Sequence, residues 1–406
     1  MFDKKICVIG LGYIGLPTAA LLANKGFSVV GMDIDNEVVT KVNQGKIHII
    51  ENDLSSYVKS AVSSGRLRAF NKIQISDIYI ICVPTPFKIN SEIPEPNIEY
   101  VIKATKNIAP YIKSGDFIIL ESTSPVGTTK KIKKILLECK VDLKDVHIAY
   151  CPERVLPGNT LYELVKNDRT VGGLSRISSK KIANFFKLFV EGKIIETDSK
   201  TAEMSKLVEN SFRDLNVAFA NEISLICDNL GINVWELIKI ANNHPRVNIL
   251  QPGTGVGGHC IAVDPWFLVS QDSKNARLIR TARQVNDDKT TWVINKIKRS
   301  IADFTTKTGI KPKVACLGLS FKPDIDDLRE SKALEVYKTL KAEGYNVYAV
   351  EPNINVNLSI PLIKLSEAIE NSDIICVLVK HKEFLEEEIK IQLMKHRSLD
   401  FCGAFQ

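Results

Sequence analysis

The sequence predicts an α/β protein of two doubly wound lobes, joined by a long central helix and a helical middle domain. Three observations predict this class. Short apolar runs alternate with helical patterns in the first third, a nearly unbroken helical pattern fills the middle, and β–α alternation returns in the last hundred residues. The 406 residues are 45% hydrophobic and 25% charged, which is ordinary for a globular protein and excludes a disordered or collagen-like chain.

The first lobe is predicted to hold a parallel sheet covered by helices on both faces. Buried strands are predicted at residues 6–9, 28–32, 78–83, 117–120 and 146–149, and helices from Thr18, Asn36, Leu54, Ile98 and Thr128. Residues 6–23 are apolar enough to suggest a signal peptide or a membrane span. However, three glycines and Pro17 interrupt the run, which favours a strand, a glycine turn and a helix.

The middle of the chain is predicted to be helical. Residues 201–230 carry apolar side chains at helical spacing, and Gly231 ends the pattern. This apolar face comprises Met204, Leu207, Val208, Phe212, Leu215, Phe219, Ile223 and Ile226. More helix is predicted at 234–241 and from 276 to about 301. Such a segment would form a connector between lobes or the core of a dimer.

The last lobe repeats three features of the first in the same order. Residues 5–12 parallel 313–320, residues 26–33 parallel 344–351, and the Ser-Asp pair at 76–77 parallels the pair at 372–373. Chance agreement between generic βαβ patterns is the alternative, but the preserved order favours two lobes of one fold.

A glycine motif follows the first strand. Gly10-Leu-Gly12-Tyr13-Ile14-Gly15 lies between a strand and a helix, and Asp33 ends the next strand. This is the Rossmann fingerprint: the turn brings a pyrophosphate to a helix N-terminus, and the acidic residue accepts hydrogen bonds from ribose hydroxyls. A carboxylate would repel a 2′-phosphate, so we expect NAD rather than NADP. The alternative is a purely structural turn.

Two further loops follow strands of the same sheet. They contain Thr85 and Thr123, which we expect to contact cofactor or substrate, although turn and capping roles remain open. The second lobe has Ser320 and Phe321 in place of the third glycine, so it is predicted to bind something other than a dinucleotide.

The most specific constellation surrounds one cysteine. Cys260 follows four glycines between positions 253 and 258, where the backbone can approach a ligand closely, and Asp264 lies four residues beyond. We interpret Cys260 as a nucleophile, with a buried structural thiol as the alternative. His259 is adjacent, but neighbouring side chains on an extended chain point in opposite directions, which disfavours it as the catalytic base.

Polar residues on the long predicted helix provide further candidates. Lys206, Asn210, Arg213 and Asp214 share one stripe, which we interpret as lining a site rather than facing solvent. Additional cationic and polar side chains occur at His244, Arg246, Lys322 and Arg329, and Phe321 directly precedes Lys322. Arginine and lysine suit phosphate groups, although none of these positions is specific alone.

Charge and cysteine content limit the partners. The net charge of +7 is modest, and the lysine cluster at residues 130–134 reads as a solvated helix face, so no nucleic-acid partner is expected. The nine cysteines are odd in number and several lie in apolar runs, which predicts reduced thiols and a cytoplasmic location. No metal and no membrane partner are expected.

Together these residues resemble the UDP-glucose/GDP-mannose dehydrogenase family over nearly the whole chain. Residues 149–158, 243–249 and 258–266 resemble most the branch that oxidises UDP-N-acetyl-D-mannosamine. UDP-glucose enzymes carry a serine before the cysteine and Pro-Lys-Asp after it, which differs from His259 and the Ala-Val-Asp264 found here. Enzymes that oxidise UDP-N-acetyl-D-glucosamine share the Gly-Gly-His-Cys pattern and remain an alternative. Cys402 stands where a basic residue is common in the family.

The resemblance implies a four-electron oxidation at C6 of a UDP-N-acetylhexosamine by NAD. Cys260 would form a thiohemiacetal and then a thioester, Lys206 and Asn210 would stabilise the oxyanion, and Asp264 would orient groups beside the cysteine. Glu153 would assist proton transfer with a water near Thr123. The residues implied to line the substrate are Arg154, Val155, Lys206, Asn210, Arg213, His244, Arg246, Gly257, Phe321, Lys322 and Arg329.

The resemblance also implies an assembly and a domain division. A homodimer or a dimer of dimers is expected, with Arg246 contributed by a partner subunit. The expected domains are an NAD-binding domain at 1–198, a helical dimerisation domain with the cysteine loop at 199–304, and a UDP-sugar-binding domain at 305–406. Two other interpretations remain: a two-electron dehydrogenase with an inert Cys260, and a non-catalytic nucleotide-sensing dimer module.

Overall fold

A computed structural model describes residues 3–88, 93–156, 158–258, 261–354 and 360–406. The chain divides into two compact units, Met1–Val208 and Glu209–Gln406. Both combine a parallel sheet with helices, and the predicted α/β class with two Rossmann-like lobes is confirmed. None of the helices in these described ranges has both the length and the hydrophobicity required to cross a membrane.

The described residues of the first unit form ten strands. These are β1 (Lys5–Ile9), β2 (Ser28–Met32), β3 (Leu67–Phe70), β4 (Ile78–Ile81), β5 (Phe87–Lys88), β6 (Glu95–Pro96), β7 (Phe117–Leu120), β8 (His147–Tyr150), β9 (Arg169–Gly173) and β10 (Ile194–Asp198). Eight of them form one sheet in the order β10-β9-β8-β7-β4-β1-β2-β3, while β5 and β6 form a small hairpin. The pairs in the large sheet are parallel, except that β8 and β9 are antiparallel.

Helices cover both faces of this sheet. They are α1 (Gly15–Asn24), α2 (Asn36–Asn43), α3 (Leu54–Ser63), α4 (Glu99–Ile108), α5 (Thr128–Glu138), α6 (Thr160–Lys166) and α7 (Arg176–Phe186), with a 3₁₀ turn at Ala109–Tyr111. In β1, Ile6 and Val8 belong to one buried cluster and Cys7 and Ile9 to another. Successive side chains of a strand point to opposite faces, so the continuous apolar run reflects burial on both sides.

Helix α8 (Ser199–Leu230) begins in the first unit and ends in the second. Gly231 follows it with φ 70°, the left-handed conformation typical of the residue after a helix. The predicted apolar face of α8 is only partly buried. Leu207 is buried, whereas Met204, Val208, Phe212, Phe219 and Ile226 are exposed.

The second unit contains a four-stranded parallel sheet in the order β12-β11-β13-β14. Its strands are β11 (Val314–Leu317), β12 (Val347–Val350), β13 (Ile374–Val377) and β14 (Arg397–Asp400). Its helices are α9 (Val234–Ala241), α10 (Asp264–Gln271), α11 (Arg277–Thr308), α12 (Lys332–Ala342), α13 (Leu365–Asn371) and α14 (Glu387–Lys395), with a 3₁₀ turn at Lys382–Phe384.

A buried polar network joins α8 to α11 within the second unit. The Asp214 carboxylate accepts a hydrogen bond from Arg283 at 2.6 Å and another from Asn286 at 2.8 Å. The side chains of Arg283 and Asp214 are each at most 2% exposed. The interpretation of the polar stripe as site-lining is therefore wrong for Asp214, whose charge is neutralised inside the helix pair.

Candidate active site

The glycine motif forms the turn between β1 and α1 in the first unit. Gly10 has φ 89°, and a Cβ there would lie 2.6 Å from the Cys82 carbonyl oxygen. A Cβ on Gly15 would lie 1.8 Å from the Gly10 carbonyl oxygen, whereas one on Gly12 would have no neighbour within 4 Å. Two glycines thus permit tight packing, and Gly12 leaves open space beside the helix terminus.

This turn meets the requirements of a dinucleotide pyrophosphate. No side chain caps the N-terminus of α1, and its first turn carries no acidic residue. The N–H groups of such a terminus and the helix dipole favour an anion. Gly10, Gly12, Tyr13, Ile14 and Gly15 would hold the pyrophosphate of NAD.

Asp33 lies directly after β2 and faces the same turn. Its carboxylate accepts hydrogen bonds from the Leu11 N–H at 2.8 Å and from the Asp35 N–H at 3.0 Å. The side chain is only partly buried, so its oxygens retain room to accept from ribose hydroxyls. The residues present therefore fit NAD.

Thr85 and Thr123 occupy the loops that follow β4 and β7. The Thr85 hydroxyl donates to the Thr123 carbonyl oxygen at 2.7 Å, which ties the two loops together. Strands β4 and β7 are adjacent and parallel, so both loops leave the same edge of the sheet. The structure thus brings together the two threonines that the sequence singled out.

Glu153 and Lys206 meet in the first unit. Lys206 is 6% exposed, and its ammonium donates to the Glu153 main-chain carbonyl oxygen at 2.7 Å. The Glu153 carboxylate accepts from the Val155 N–H. Burial raises the pKa of Glu153 to about 7, against the lowering influence of Lys206 and Arg169. A carboxyl group that titrates near neutrality can exchange protons with a substrate or a water.

Arg154 and Val155 extend this loop. The Arg154 guanidinium donates to the Thr170 hydroxyl at 3.0 Å, so the side chain is held against strand β9. Asn167 donates to the Arg154 carbonyl oxygen at 3.3 Å. These bonds fix the loop that carries Glu153.

A buried ion pair that we did not predict lies in the same unit. Arg169 donates to Glu121 at 3.0 Å, and the two side chains are 6% and 0% exposed. The Cys82 thiol donates to the other Glu121 oxygen at 3.3 Å. Cys82 also supplies the carbonyl that packs on Gly10, so this pair is linked to the nucleotide turn. Arg169 is the first residue of β9, and no local sequence pattern marked it as a buried charge that requires a partner.

In the second unit, Asn210 and Asp264 form a buried pair. The Asn210 amide donates to the Asp264 carboxylate at 2.5 Å, and the residues are 6% and 2% exposed. Asp264 is the first residue of α10 and is followed by Pro265, a residue pair typical of a helix start. Arg213, on the same helix as Asn210, is exposed.

The glycines before Cys260 pack on the loop that carries Phe321. A Cβ on Gly257 would lie 2.4 Å from the Glu330 carbonyl oxygen, and one on Gly258 would lie 2.8 Å from the Phe321 ring. The Gly258 N–H donates to the Arg329 carbonyl oxygen at 3.3 Å. Cys260 and His259 lie outside the described residues, so their predicted roles remain predictions.

Arg329, His244 and Arg246 are exposed in the second unit. Arg329 forms a bidentate ion pair with Asp327. The Arg246 N–H donates to the His244 ring at 3.3 Å. The Arg246 guanidinium makes no hydrogen bond or ion pair with a residue in the described parts of the chain, so it remains available to a ligand or a second subunit.

In the second lobe, the residue that corresponds to Asp33 is buried and inaccessible to a ligand. This residue, Glu351, accepts from the N–H groups of Leu319, Ser320 and Asn353 and contacts the His381 ring at 3.1 Å. The Glu351 side chain is 0% exposed. No ribose could reach it, which explains physically why this lobe is not a second dinucleotide site.

The Cys402 thiol cannot supply the positive charge of the basic residue that is common at its position. Its thiol points to the Val377 carbonyl oxygen at 3.7 Å, and burial raises its pKa well above the usual value. The nearby cation is Lys380, which donates to the Gly403 carbonyl oxygen at 2.7 Å. Asp400 accepts from the N–H groups of Cys402 and Gly403 and so shapes the turn.

Comparison with known proteins agrees with this arrangement. Three domain profiles of the UDP-glucose/GDP-mannose dehydrogenase family match the chain: the NAD binding domain at residues 4–190, the central domain at 200–288, and the UDP binding domain at 315–406. Together they span nearly all of the sequence.

Individual relatives match over more than nine tenths of their length. The chain is 52% identical over 400 residues to a UDP-N-acetyl-D-mannosamine dehydrogenase of Campylobacter jejuni, covering 94% of this chain and 97% of that protein. It is 49% identical over 395 residues to an NDP-N-acetyl-D-galactosaminuronic acid dehydrogenase of Ralstonia nicotianae, covering 94% and 92%. The solved UDP-D-ManNAc dehydrogenase of Pyrococcus horikoshii is 36% identical, with a TM-score of 0.90 over 99% of this chain and 96% of that one.

These matches bear out the resemblance seen in the sequence and the choice of cofactor. The NAD binding domain profile covers the glycine turn and Asp33, and the UDP binding domain profile covers the loop of Phe321 and Lys322. The chain therefore belongs to the UDP-glucose/GDP-mannose dehydrogenase family and is an NAD-dependent dehydrogenase of nucleotide sugars.

Proposed function

We propose that the protein oxidises UDP-N-acetyl-D-mannosamine at C6 to the uronate. The observation that carries the choice of substrate is the 52% identity, over nearly the whole chain, to a relative named for this reaction. The observation that supports the chemistry is the buried Lys206 beside the Glu153 loop. Identity alone does not fix the sugar, because the Ralstonia relative at 49% is named for a galactosaminuronate.

We propose that the chain's residues divide the reaction between proton transfer and covalent capture. Glu153, in its carboxylate form, takes the C6 hydroxyl proton directly or through a water near Thr123. The Cys260 thiolate then adds to the C6 aldehyde, forming a C–S bond and an oxyanion. Lys206 and Asn210 donate hydrogen bonds to that oxyanion, and Asp264 holds the Asn210 amide in place.

Two NAD molecules, bound in turn by the glycine turn and Asp33, would supply the hydride acceptors, one for each oxidation at C6. After the second, the sugar is held as a thioester on Cys260. Water attacks its carbonyl carbon, the C–S bond breaks, and the products are the carboxylate and the free thiol. Glu153, having released its first proton to solvent, accepts a proton from that water, and the second proton of the water goes to the departing thiolate. Covalent capture keeps the aldehyde on the protein between the two oxidations.

The remaining predicted site residues serve the nucleotide and the sugar in this proposal. Thr85 and Thr123 line the cofactor side. The residues proposed to contact the UDP-sugar are Arg154, Val155, Lys206, Asn210, Arg213, His244, Arg246, Gly257, Phe321, Lys322 and Arg329. We also propose that the protein is a homodimer in which Arg246 serves the partner's site, and that the domain division is 1–198, 199–304 and 305–406.

The test is the number of NADH molecules formed per sugar consumed. Purified protein is assayed with UDP-N-acetylmannosamine, UDP-N-acetylglucosamine, UDP-N-acetylgalactosamine and UDP-glucose. We expect two NADH per sugar and the highest kcat/KM with the first. Turnover mainly with UDP-N-acetylglucosamine would show that this sugar nucleotide, and not UDP-N-acetylmannosamine, is the substrate. One NADH per sugar would refute covalent capture, and no turnover with any of the four would point to another nucleotide sugar as the substrate.

Replacement of the proposed nucleophile provides a second test. The variant Cys260→Ala should form no uronate, because the aldehyde can no longer be captured as a thiohemiacetal. Uronate formation is measured by chromatography, and Cys139→Ala serves as the matched control because Cys139 is exposed. Uronate production at the normal rate in Cys260→Ala would contradict the covalent mechanism.

A further inference from the structure

His381 lies after β13 in the second unit and is completely buried. Its ring contacts groups from two other segments, those that follow β11 and β12, at the carboxyl edge of the sheet. Nε2 lies 3.1 Å from Glu351 and 3.3 Å from the Ser320 hydroxyl, while Nδ1 lies 3.0 Å from both the Asp324 N–H and the Asn353 amide. A histidine with this many partners fixes the chain segments that it contacts.

The hydrogen-bond partners assign the tautomer. The Asp324 main-chain N–H can only donate, so Nδ1 of His381 must be the acceptor and carries no proton. The ring proton therefore lies on Nε2, from which it is donated to the Glu351 carboxylate. A neutral His381 with this tautomer satisfies donors and acceptors on both sides of the ring.

These bonds fasten both ends of one loop. At its start, the Leu319 and Ser320 N–H groups donate to Glu351, and the Ser320 hydroxyl donates to the Lys322 carbonyl oxygen at 2.8 Å. At its end, Asp324 is held by His381 through its N–H, and its carboxylate accepts from the Lys382 N–H at 3.0 Å. Phe321 and Lys322 lie between the two fastened ends.

We propose that His381 is a positioning residue that holds the Phe321–Lys322 turn in the conformation that binds the UDP part of the substrate. The inference rests on the proposed function, in which Phe321 and Lys322 contact the nucleotide. His381 itself touches no reacting atom in this proposal. In the first lobe, the Asp33 carboxylate would accept hydrogen bonds from a ribose. In the second lobe, the His381 ring takes the place of that ribose beside Glu351, so the same part of the fold supports the Phe321–Lys322 loop instead of a cofactor.

The variant His381→Leu tests this inference. It fills the same buried space but removes every bond to the ring, while Glu351 keeps its three main-chain donors, which favours folding. We expect the KM for the UDP-sugar and the Kd for UDP, measured by calorimetry, to rise about tenfold or more, since a displaced binding group loses affinity steeply. The KM for NAD and kcat should stay within about twofold of wild type.

His381→Asn and Leu393→Ala provide the matched controls. The asparagine oxygen can still accept from the Asp324 N–H, so His381→Asn should restore most of the UDP affinity. Leu393 is completely buried in α14, so Leu393→Ala lowers stability and should leave UDP affinity unchanged. Equal losses in His381→Leu and Leu393→Ala would overturn the positioning role.

Limited chymotryptic cleavage after Phe321, identified by mass spectrometry, separates this inference from the proposed function. We expect faster cleavage in His381→Leu than in wild type or Leu393→Ala. Unchanged cleavage would overturn the inference, as would a folded His381→Leu with normal UDP affinity when Lys322→Ala loses affinity. Faster cleavage with normal UDP affinity in both His381→Leu and Lys322→Ala would instead refute the loop's place in the substrate site.

Discussion

Glu153 has a pKa close to the neutral pH at which the proposed proton transfers would take place. Its pKa is raised to about 7 by burial, although Lys206 and Arg169 both favour the charged form. Desolvation of a carboxylate is therefore the dominant influence. A group of this kind is half ionised near neutral pH and can act in turn as acid and base.

We predict that kcat rises with pH through about 7, because Glu153 must be a carboxylate to take a proton. Glu153→Gln should lower kcat and flatten the profile between pH 6 and 8. Initial rates at saturating substrate measure this, with Glu163→Gln as a control at a neighbouring carboxylate. A Glu153→Gln enzyme with an unchanged rising limb would show that another group titrates.

The same residue has a consequence for stability. Its folded-state pKa lies above its usual value of 4.5, so the folded state binds the proton more tightly than the unfolded chain. The resulting stabilisation is complete below pH 4.5 and is lost as pH rises through about 7. Urea unfolding at pH 6 and pH 8 should therefore show a smaller loss of stability in Glu153→Gln than in wild type.

The glycines of the first turn offer a residue-by-residue test of cofactor binding. Gly12→Ala meets no neighbour, whereas Gly15→Ala places a carbon 1.8 Å from a carbonyl oxygen. We expect Gly12→Ala to keep the wild-type Tm and bind NAD more weakly, because the added methyl group occupies the open space. Gly15→Ala should lower the Tm itself. Thermal unfolding and NAD titration distinguish them, and the opposite pattern would contradict the roles given to the two glycines.

At the scale of elements, the pairing of α8 with α11 depends on ions inside the protein. Arg283 is 1% exposed and donates a hydrogen bond to the Asp214 carboxylate, which also accepts a hydrogen bond from the Asn286 amide. Removing one member leaves a charge without its partner in a nonpolar setting, which costs more than the pair contributes when intact. The network therefore defines how these two helices align.

We predict that Arg283→Met lowers the free energy of unfolding by about 3–5 kcal/mol, because Asp214 is left buried and unpaired. The double variant Asp214→Leu with Arg283→Met should recover most of that loss, since no buried charge then remains: the other carboxylate paired with Arg283, that of Asp287, is 44% exposed. Urea denaturation of the single and double variants measures both effects. Additive losses in the double variant would show that the two ions act independently.

The sequence predicted those elements whose signal is local. Strands buried on both faces appear as apolar runs, and β2 and β7 begin and end where the pattern placed them. The predicted strand at 146–149 lies one residue early, and β3, β9 and β10 were not predicted. Strand β10 carries Glu196 and Asp198 and is half exposed, so its place in the sheet depends on pairing with β9 rather than on hydrophobicity.

The candidate site was predictable where chemistry is concentrated in a motif. Asp33 is hydrogen-bonded to the glycine turn, and Thr85 is hydrogen-bonded to Thr123, in line with the sequence pattern. The Glu121–Arg169 pair and the His381–Glu351 pair join residues 48 and 30 positions apart. Neither has a local pattern, because which buried charges meet is decided by the packing of the sheet.

At the scale of the whole molecule, helix α8 exposes a row of apolar side chains. Met204, Val208, Phe212, Phe219 and Ile226 are between 42% and 67% exposed, and they recur at intervals of four or seven residues along one helix. A contiguous apolar stripe of this kind is costly in water and marks a surface that another chain covers. A second copy of the same helix is the occupant that fits the proposed homodimer, since a two-fold interface pairs identical surfaces.

We predict that Phe219→Glu converts the protein to a monomer, because a charge in the centre of the stripe would be buried without a partner. Light scattering after size-exclusion chromatography measures the mass, and Glu222→Gln, a change at a polar position of the same helix, is the control. If Arg246 serves the partner's site, the monomer should also lose activity. A dimeric Phe219→Glu would place the interface elsewhere.

The thiols of this chain have a practical consequence for chemical labelling. Of the eight cysteines in the described ranges, only Cys139 is exposed, and burial raises the pKa of Cys7, Cys82, Cys151, Cys316, Cys376 and Cys402. Protonated thiols react slowly with alkylating agents. In Cys139→Ser, an electrophilic tag at neutral pH should therefore attach at one position per chain, Cys260, and so count functional sites by mass alone.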